Sequence, residues 1–328
     1  MRINRRTFVS ATLAASVGTG AAFGMAGAHA ETANYPSQVI KIIVPFTPGS
    51  GSDTSARFFG EHMSRILGQS VIVENRPGAN GVIAFQAVKS QPADGYTVLL
   101  ASNSPMAVNP LVFKNLPYDP SKDFRPVYGL TRNMNVLVVA NESPYKTFGD
   151  LVAAAHKQPL MMGTYSAGYE LAGRWLADLT GSQFTNVAYK GQAQIMTDIM
   201  GKHLDFALVD LSGALNFITE GKLRALAVSG EERNPELPNV PTVREQGFKD
   251  YVQYSWVSFY VRAQTPDAIV NKLADAVGKI SASDEAREHV RQRSAQLMAY
   301  PPQEMTRFHN AEIERFRKIA EKAGIKPQ

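Results

Sequence analysis

The stretch VIKIIVPFTPGSGSD, residues 39–53, decides the fold class. Its first part, up to Val44, is apolar and mostly β-branched apart from Lys41, which is typical of a parallel strand buried on both faces. A loop of Pro, Gly and Ser follows. Asp53 can then cap a helix whose apolar residues recur every three or four positions until Gly68. A strand that leads through a glycine-rich loop into a helix is the building unit of an α/β sheet.

The same alternation continues along the chain. Further strands are predicted over residues 71–73, 96–101, 136–140, 160–163, 185–189, 204–209, 223–228 and 255–261. Further helices are predicted over residues 82–88, from Thr147 onward, and over residues 266–281, 284–297 and 302–323. Regular alternation of strand and helix predicts doubly wound α/β sheets.

The composition is that of a globular protein with more than one domain. Hydrophobic residues make up 44% and charged residues 19% of the chain, and it has no cysteine, which excludes a disordered chain and a disulfide framework. The formal net charge of +5 includes three arginines at positions 2, 5 and 6, so the remainder of the chain gives no reason to expect a nucleic-acid partner. The length of 328 residues exceeds what one hydrophobic core usually serves, and two domains are expected.

Residues 1–30 are predicted to be an export signal. The basic segment 1–6 is followed by an apolar segment, residues 9–28, and Ala28-His29-Ala30 fits a signal-peptidase site. Residues 4–9 resemble a twin-arginine signal, although ordinary secretory signals also contain paired arginines, and a membrane anchor is the alternative. We expect a soluble periplasmic protein cleaved after Ala30, without lipid attachment and without a second membrane-spanning run.

Ligands of such sheets bind at loops that follow the carboxyl ends of the strands. The first of these loops, residues 45–53, is rich in glycine, so its backbone N–H groups and the start of the following helix can hold an anion without a cationic side chain. It lacks the Lys of a phosphate-binding P-loop and the full glycine spacing of a dinucleotide site. A tight turn without a ligand is the alternative.

Polar residues also follow five other predicted strands, in loops 74–81, 101–106, 163–170, 189–192 and 209–212. Each loop alone is a weak signal because Ser and Asn are common in loops, but their shared position after strands favours a ligand site. Arg76 can pair with a ligand carboxylate or with Glu74.

Catalysis finds little support in the sequence. Residues 164–168 approach a nucleophile elbow around Ser166, but Thr164 replaces its first glycine. A serine hydrolase would also need a late histidine, and both His289 and His309 lie in charged helical stretches that we expect to be solvated. No metal-ligand spacing is present. We therefore predict that the chain is not an enzyme and needs no metal or cofactor. A secreted serine hydrolase is a distant alternative.

Several segments, in one order along almost the whole chain, resemble the extracytoplasmic receptors of tripartite tricarboxylate transporters, the Bug family. They are residues 43–57, 73–79, 94–97, 116–120 with 123–124, 187–191, 221–228 and 237–243. The resemblance implies a type II periplasmic binding protein, in which two doubly wound α/β domains are joined by crossover hinge strands and enclose a ligand cleft. Domain 1 is expected over residues 31–131 and 252–328, and domain 2 over residues 132–251.

The resemblance also implies a function. Such a receptor captures a small carboxylate, which can be a di- or tricarboxylate, an acidic amino acid or an aromatic acid. It delivers the acid unaltered to a membrane permease of one large and one small subunit. We expect a monomer. A periplasmic sensing subunit of a signalling receptor is the alternative, and it would have the same cleft.

The loops and the resemblance together give the candidate ligand-binding residues Thr47, Gly49, Ser50, Gly51, Asp53, Asn80, Ser102, Asn103, Ser104, Tyr165, Ser166, Gly168, Tyr169, Lys190, Gly191 and Asp210. Asp53 is expected to act mainly as a helix cap. Asp210 would repel an acid directly but can accept a hydrogen bond from a hydroxyl, an amine or water.

Two loops depart from the family pattern. After the first strand the family commonly has Pro-Gly-Gly, and the chain has Pro48-Gly49-Ser50-Gly51. The second departure lies in the loop 163–170. Where the family commonly ends this loop with Ser-His-Leu, the chain has Tyr169-Glu170-Leu171, so the family's ligands cannot simply be transferred. Tyr165 and Tyr169 either face the cleft, where they offer a stacking surface to an aromatic acid, or pack at the base of the loop.

Overall fold

The computed structural model describes residues 34–325 and residue 327, so the predicted signal and its cleavage site lie outside the described residues. The strands are β1 (Ile40–Val44), β2 (Val71–Asn75), β3 (Thr97–Ser102), β4 (Phe124–Ala140), β5 (Leu160–Thr164), β6 (Phe184–Ala188), β7 (Phe206–Asp210), β8 (Leu223–Val228), β9 (Tyr254–Arg262) and β10 (Ala295–Tyr300).

The longer helices are α1 (Gly51–Leu67), α2 (Val82–Lys89), α3 (Phe148–Ala155), α4 (Ala167–Thr180), α5 (Gln192–Met200), α6 (Leu211–Thr219), α7 (Asp267–Ser281), α8 (Asp284–Arg291) and α9 (Pro302–Lys322). Short helical turns cover Ala79–Gly81, Ser104–Val108, Asn109–Val112 and Pro120–Asp123. None of the helices in the described part of the chain combines the length and the apolar character needed to cross a bilayer.

The strands form two parallel groups around an antiparallel centre. The order is β2-β1-β3-β9-β4-β7-β5-β6, and β8 and β10 also pair with β4. β1 is parallel to β2 and β3, and β5 is parallel to β6 and β7. We call the part with β1, β2, β3, β9 and β10 lobe 1, and the part with β5, β6, β7 and β8 lobe 2. The predicted α/β alternation is therefore confirmed within each lobe.

One continuous strand, β4, connects the lobes. Its first part pairs with β9 and β10 of lobe 1, and its second part, from Asn135, pairs with β7 and β8 of lobe 2. The sequence predicted only residues 136–140 of this strand. The earlier part contains Pro126 and Arg132, and its pairing is interrupted by register shifts, so it has no clean strand pattern.

Each lobe has its own core, and α9 packs against both. Phe59 and Leu100 are fully buried in lobe 1, and Phe206 is fully buried in lobe 2. The start of α9 contributes Met305 to a cluster of lobe 1, whereas its later residue Phe316 belongs to the core of lobe 2. The lobes are therefore joined by a helix as well as by strands.

The sequence prediction was wrong at two places near the carboxyl terminus. The predicted helix 284–297 ends at Arg291, and Ala295–Tyr300 forms β10, because the open edge of β4 offers hydrogen bonds that outweigh local helical spacing. The histidines expected to be solvated are not. His309 is only 4% exposed, and His289 stacks on Phe58 with 4.0 Å between ring centroids.

Candidate ligand-binding cleft

The two lobes face each other across a narrow cleft with a cavity volume of about 30 Å³. Residues that follow the carboxyl ends of the parallel strands line most of it, namely Phe46, Gly51, Ser52, Ser102, Asn103, Tyr165, Ser166 and Asp210, together with Tyr169 of α4. Two strands run between the lobes: β4 passes from lobe 1 to lobe 2, and β9 follows lobe 2 along the chain and returns it to lobe 1. These crossing strands contribute Thr131, Asn133, Ser255, Trp256 and Val257 to the lining. This is the position that α/β sheets use for ligands.

Asp53 holds the first loop in shape. Its carboxylate accepts hydrogen bonds from Gly49 N (2.9 Å), Asn75 Nδ2 (2.9 Å) and Arg57 Nε (3.0 Å). Burial raises the pKa of Asp53, but the hydrogen bond from Arg57 and those from Gly49 and Asn75 outweigh it and hold the pKa below its ordinary value. The carboxylate is thus fully used within the loop, and Ser50 Oγ caps α1 by accepting from Asp53 N at 3.2 Å.

The start of α1 offers donors to the cleft. Gly51 and Ser52 are its first two residues and both line the cleft, and within the described residues neither backbone N–H has a protein acceptor. The positive end of the helix dipole lies at the same place. These two amides can therefore hold an anion.

Unpaired side-chain atoms face the same space. Ser102 is 5% exposed, and its Oγ has no hydrogen-bond partner among the described residues. The buried Oδ1 of Asn133 has none either. Buried polar atoms without a partner are uncommon because each lost hydrogen bond costs stability, so these two atoms indicate a site for a polar ligand or water.

The lobes touch each other through glycines. A Cβ added at Gly191 of lobe 2 would lie 2.3 Å from Thr47 Oγ1 of lobe 1. A Cβ added at Gly51 of lobe 1 would lie 2.9 Å from Ser212 Oγ of lobe 2. Gly191 has φ −173°, an extended conformation open to any residue, so the glycine is needed here only for space. In this closed arrangement, side chains of one lobe therefore lie directly against the glycine backbone of the other lobe.

Lobe 1 also caps a helix of lobe 2. Ser166 at the start of α4 makes no capping hydrogen bond with its own side chain. Instead, Asn80 Oδ1 accepts from Ala167 N at 3.1 Å, and Ser104 Oγ accepts from Gly168 N at 2.9 Å. These two hydrogen bonds cross from lobe to lobe, so they stabilise the closed arrangement.

Two tyrosines line the lobe 2 side of the cleft. Their rings are 4.6 Å apart, Tyr165 Oη donates to Tyr169 Oη at 2.9 Å, and the edge of Phe46 of lobe 1 meets Tyr165 at 5.9 Å between centroids. Burial raises the pKa of both phenols well above the usual value. Both tyrosines line the cleft, and Tyr169 is at the same time 6% exposed and part of the core of lobe 2, so the two alternatives that the sequence left open are not exclusive.

Asp210 ends β7 and caps α6. Its Oδ1 accepts from Ser212 N at 3.0 Å, and its Oδ2 accepts from Ser255 Oγ at 2.6 Å. Burial raises the pKa of Asp210, although the hydrogen bonds from Ser212 and Ser255 oppose that effect. A carboxyl group thus lies in the cleft wall with neutral donors only.

The structure divides the candidate residues other than Lys190 into three groups. Those that line the cleft are Gly51, Ser102, Asn103, Tyr165, Ser166, Tyr169 and Asp210. Those that make contacts between the lobes are Thr47, Asn80, Ser104, Gly168 and Gly191, with Gly51 again. Gly49, Ser50 and Asp53 build the first loop, and Lys190 is exposed beside Gly191.

Seven lining residues were absent from the sequence-based set. Phe46 and Ser52 lie inside the first loop, where the prediction was based on the glycines and on the helix cap. The other five lie on β4 and β9, where nothing local distinguishes a strand that crosses a cleft from one that does not. Ser255 and Val257 alternate along β9, which is a weak sign of a common face.

The family described as tripartite tricarboxylate transporter family receptor matches residues 55–325 of the chain. The chain belongs to this family. A UPF0065 protein of Agrobacterium vitis is 35% identical to the receptor over 302 residues, which cover 89% of this chain and 86% of that protein.

Solved structures are similar along nearly the whole receptor. An R. palustris protein with adipate has a TM-score of 0.87 and 33% identity, covering 90% of this chain and 100% of its own. MatC from Rhodopseudomonas palustris with bound malate has a TM-score of 0.82 and 26% identity, covering 87% of this chain and 99% of its own. The receptor thus has the type II periplasmic binding fold, two α/β domains joined by crossing strands around a cleft. It is a solute-binding protein of a carboxylate transport family and not an enzyme.

Substitution Gly191→Ala should weaken ligand binding because the new methyl group meets Thr47 only when the lobes are closed. Overpacking of this kind costs roughly 1–3 kcal/mol, so the Kd should rise about 5- to 150-fold. Isothermal titration with an acid that binds the wild-type receptor measures this change.

The matched control is the double variant Thr47→Ala with Gly191→Ala, which leaves 3.4 Å between the two methyl carbons. It should bind about as well as Thr47→Ala alone. An unchanged Kd in Gly191→Ala, or no recovery in the double variant, would show that closure does not bring these residues together.

Substitution Asn80→Gly should weaken ligand binding by removing one of the caps between the lobes. Asn80 has φ 53°, a left-handed conformation that glycine adopts readily, so the substitution should not strain the turn. Loss of a cap costs roughly 0.5–2 kcal/mol, which corresponds to a Kd about 2- to 30-fold higher. If the Kd stays the same while the thermal stability falls, the cap serves the fold and not closure.

Proposed function

We propose that this receptor captures a small carboxylate in the periplasm and delivers it to a tripartite permease of one large and one small membrane subunit. The observation that carries the proposal is the pair of free amides at the start of α1, Gly51 and Ser52, beside the unpaired hydroxyl of Ser102. Backbone amides at a helix start and a hydroxyl can replace the water around a carboxylate without any cationic side chain.

The adipate and malate in the two similar structures support a carboxylate ligand. Tyr165 and Tyr169 favour an acid with an aromatic or flat apolar part, because their rings line the lobe 2 side of the cleft and meet the edge of Phe46 from lobe 1. The ligand class remains a small di- or tricarboxylate, an acidic amino acid or an aromatic acid, and the tyrosines put the aromatic acids first.

Capture requires no chemical step. The carboxylate exchanges hydration for hydrogen bonds from the cleft, and closure of the lobes shields the charge from water, which strengthens those bonds. A micromolar Kd corresponds to about −8 kcal/mol, which several charge-assisted hydrogen bonds can provide. Opening reverses every contact, so the acid leaves unaltered.

The chain around the cleft is proposed to be organised as follows. Domain 1 comprises residues 31–131 and 252–328, and domain 2 comprises residues 132–251, with the hinge in the crossing strands β4 and β9. The signal is removed after Ala30, and the mature receptor is a monomer. Delivery is tested by uptake of the bound acid in cells that have the receptor with or without the permease.

Substitution Ser102→Ala should weaken binding of the acid that gives the largest thermal shift in a panel of mono-, di-, tricarboxylic and aromatic acids. A hydrogen bond to a charged group contributes about 1.5–3 kcal/mol, so the Kd should rise about 10- to 150-fold. Thermal shift and calorimetry on the mature protein give both results.

Ser90→Ala is the control, because Ser90 is exposed at the end of α2 and its hydroxyl donates only to Ala87 O. It should bind like the wild type. If no acid of any class shifts the melting temperature, the receptor is not a carboxylate receptor.

A further inference from the structure

We propose that the receptor takes up its carboxylate together with one proton, which is held between the ligand and the Asp210 carboxyl group. The proposal rests on the proposed function, since it needs an anion in the cleft. It goes beyond that function because it makes capture depend on the proton concentration and gives Asp210 the role of proton carrier.

The first observation is the position of Asp210. It is 7% exposed and lines the cleft, and a Cβ on Gly51 would lie 3.6 Å from its Oδ1. Gly51 is the first residue of α1, whose free amides are the proposed anion site. An acid held by these amides is therefore a direct neighbour of the Asp210 carboxyl group.

The second observation is the absence of a cation among the lining residues, which include no Lys, Arg or His over residues 34–325. The elements packed against Asp210 bring none either. β7 and α6 have no other charged residue, and Asp198 of α5 is bonded to Tyr189.

The remaining charged groups near this end of the cleft are exposed or engaged elsewhere. Lys190, beside Gly191 at the rim, is exposed to solvent and is not among the lining residues. On α1, Arg57 is paired with Asp53. On β4, Arg132 lies over the ring of Tyr254 and donates to Gln296. On α4, Glu170 is paired with Arg174. The titratable groups that face Asp210 directly are therefore Tyr165 and Tyr169, which carry no charge at neutral pH.

Two ionised carboxylates cannot share a closed site of this kind, and one of them takes a proton, as in the paired carboxyl groups of aspartic proteases. Burial alone already raises the pKa of Asp210 in the ligand-free receptor, so the aspartate is the group ready to accept. A proton from solvent binds an oxygen of Asp210, and the resulting O–H donates to the ligand carboxylate. Opening of the lobes releases both, and no other bond changes.

The shared proton determines how the affinity for the acid changes with pH. The complex holds Asp210 protonated, so its pKa is higher in the complex than in the free receptor. Affinity is then highest below the pKa of the free receptor and falls as the pH rises toward the pKa in the complex. Across that window the Kd should increase by up to about tenfold per pH unit.

The test is calorimetry of the mature wild-type receptor with benzoate, adipate and malate between about pH 5.5 and 8.5. Each titration is repeated in two buffers of different ionisation enthalpy, which gives the number of protons taken up. We expect an uptake that approaches one proton per acid and a Kd that rises with pH.

The same titrations with Asp210→Asn measure the protons taken up by the acids themselves. Asn is as good a helix cap as Asp and mimics the neutral carboxyl group, so α6 should stay capped. Its Kd should show only the pH dependence of the acid. Asp119→Asn, the same change at the cap of Pro120–Asp123 outside the cleft, should behave like the wild type.

If the wild-type receptor binds an acid with a flat Kd and no proton uptake, the proposal is overturned while the carboxylate receptor stands. If Asp210→Asn keeps the full pH dependence, Asp210 is not the carrier and the proposal is equally overturned. If none of the three acids binds at any pH, the proposed function fails together with it. Should Asp210→Asn not fold, the proton count of the wild type still decides.

Discussion

The proposed capture of an acid depends on holding a negative charge between two lobes whose described lining residues include no Lys, Arg or His. The first loop is arranged around the Asp53 carboxylate, which accepts hydrogen bonds from the side chains of Arg57 and Asn75 and from the amide of Gly49. Among the described residues the amides of Gly51 and Ser52, which line the cleft at the positive end of α1, have no protein acceptor. The Asp53 carboxylate thus shapes the loop that we propose holds the carboxylate of the ligand.

The closed arrangement of the lobes also depends on a small number of contacts. The lobes meet through glycines and through two hydrogen bonds that the first amides of α4 donate to Asn80 Oδ1 and Ser104 Oγ. A typical hydrogen bond contributes about 0.5–1.5 kcal/mol, so two of them bias the lobes toward the closed form without locking it. A receptor that must release its cargo needs contacts of this modest strength. The helix α9 packs on both lobes and adds an apolar connection between them.

The sequence predicted the parts of this arrangement that are local. The apolar run before Pro45, the glycines of the first loop and the capping residues all act within a few positions, and the strands and helices they predicted are present. The parts that depend on distant pairing were missed. β10 forms because the edge of β4 is free, and the first half of β4 is a strand because β9 lies beside it.

The same distinction holds for the cleft. Ser102 and Asp210 follow strands and could be found from that position alone. Asn133 and Ser255 lie inside crossing strands, and their exposure to a ligand is decided by how the two lobes are set against each other. The role of Asn80 as a cap for α4 could not be predicted either, since its partner amide belongs to a residue 87 positions away.

A crystal structure of the mature receptor with the acid that binds most tightly tests the central claim most directly. We expect the acid to lie between the lobes, with its carboxylate oxygens accepting hydrogen bonds from the amides of Gly51 and Ser52 and from Ser102 Oγ. An acid found outside the cleft on surface lysines or arginines, with these amides untouched, would contradict it.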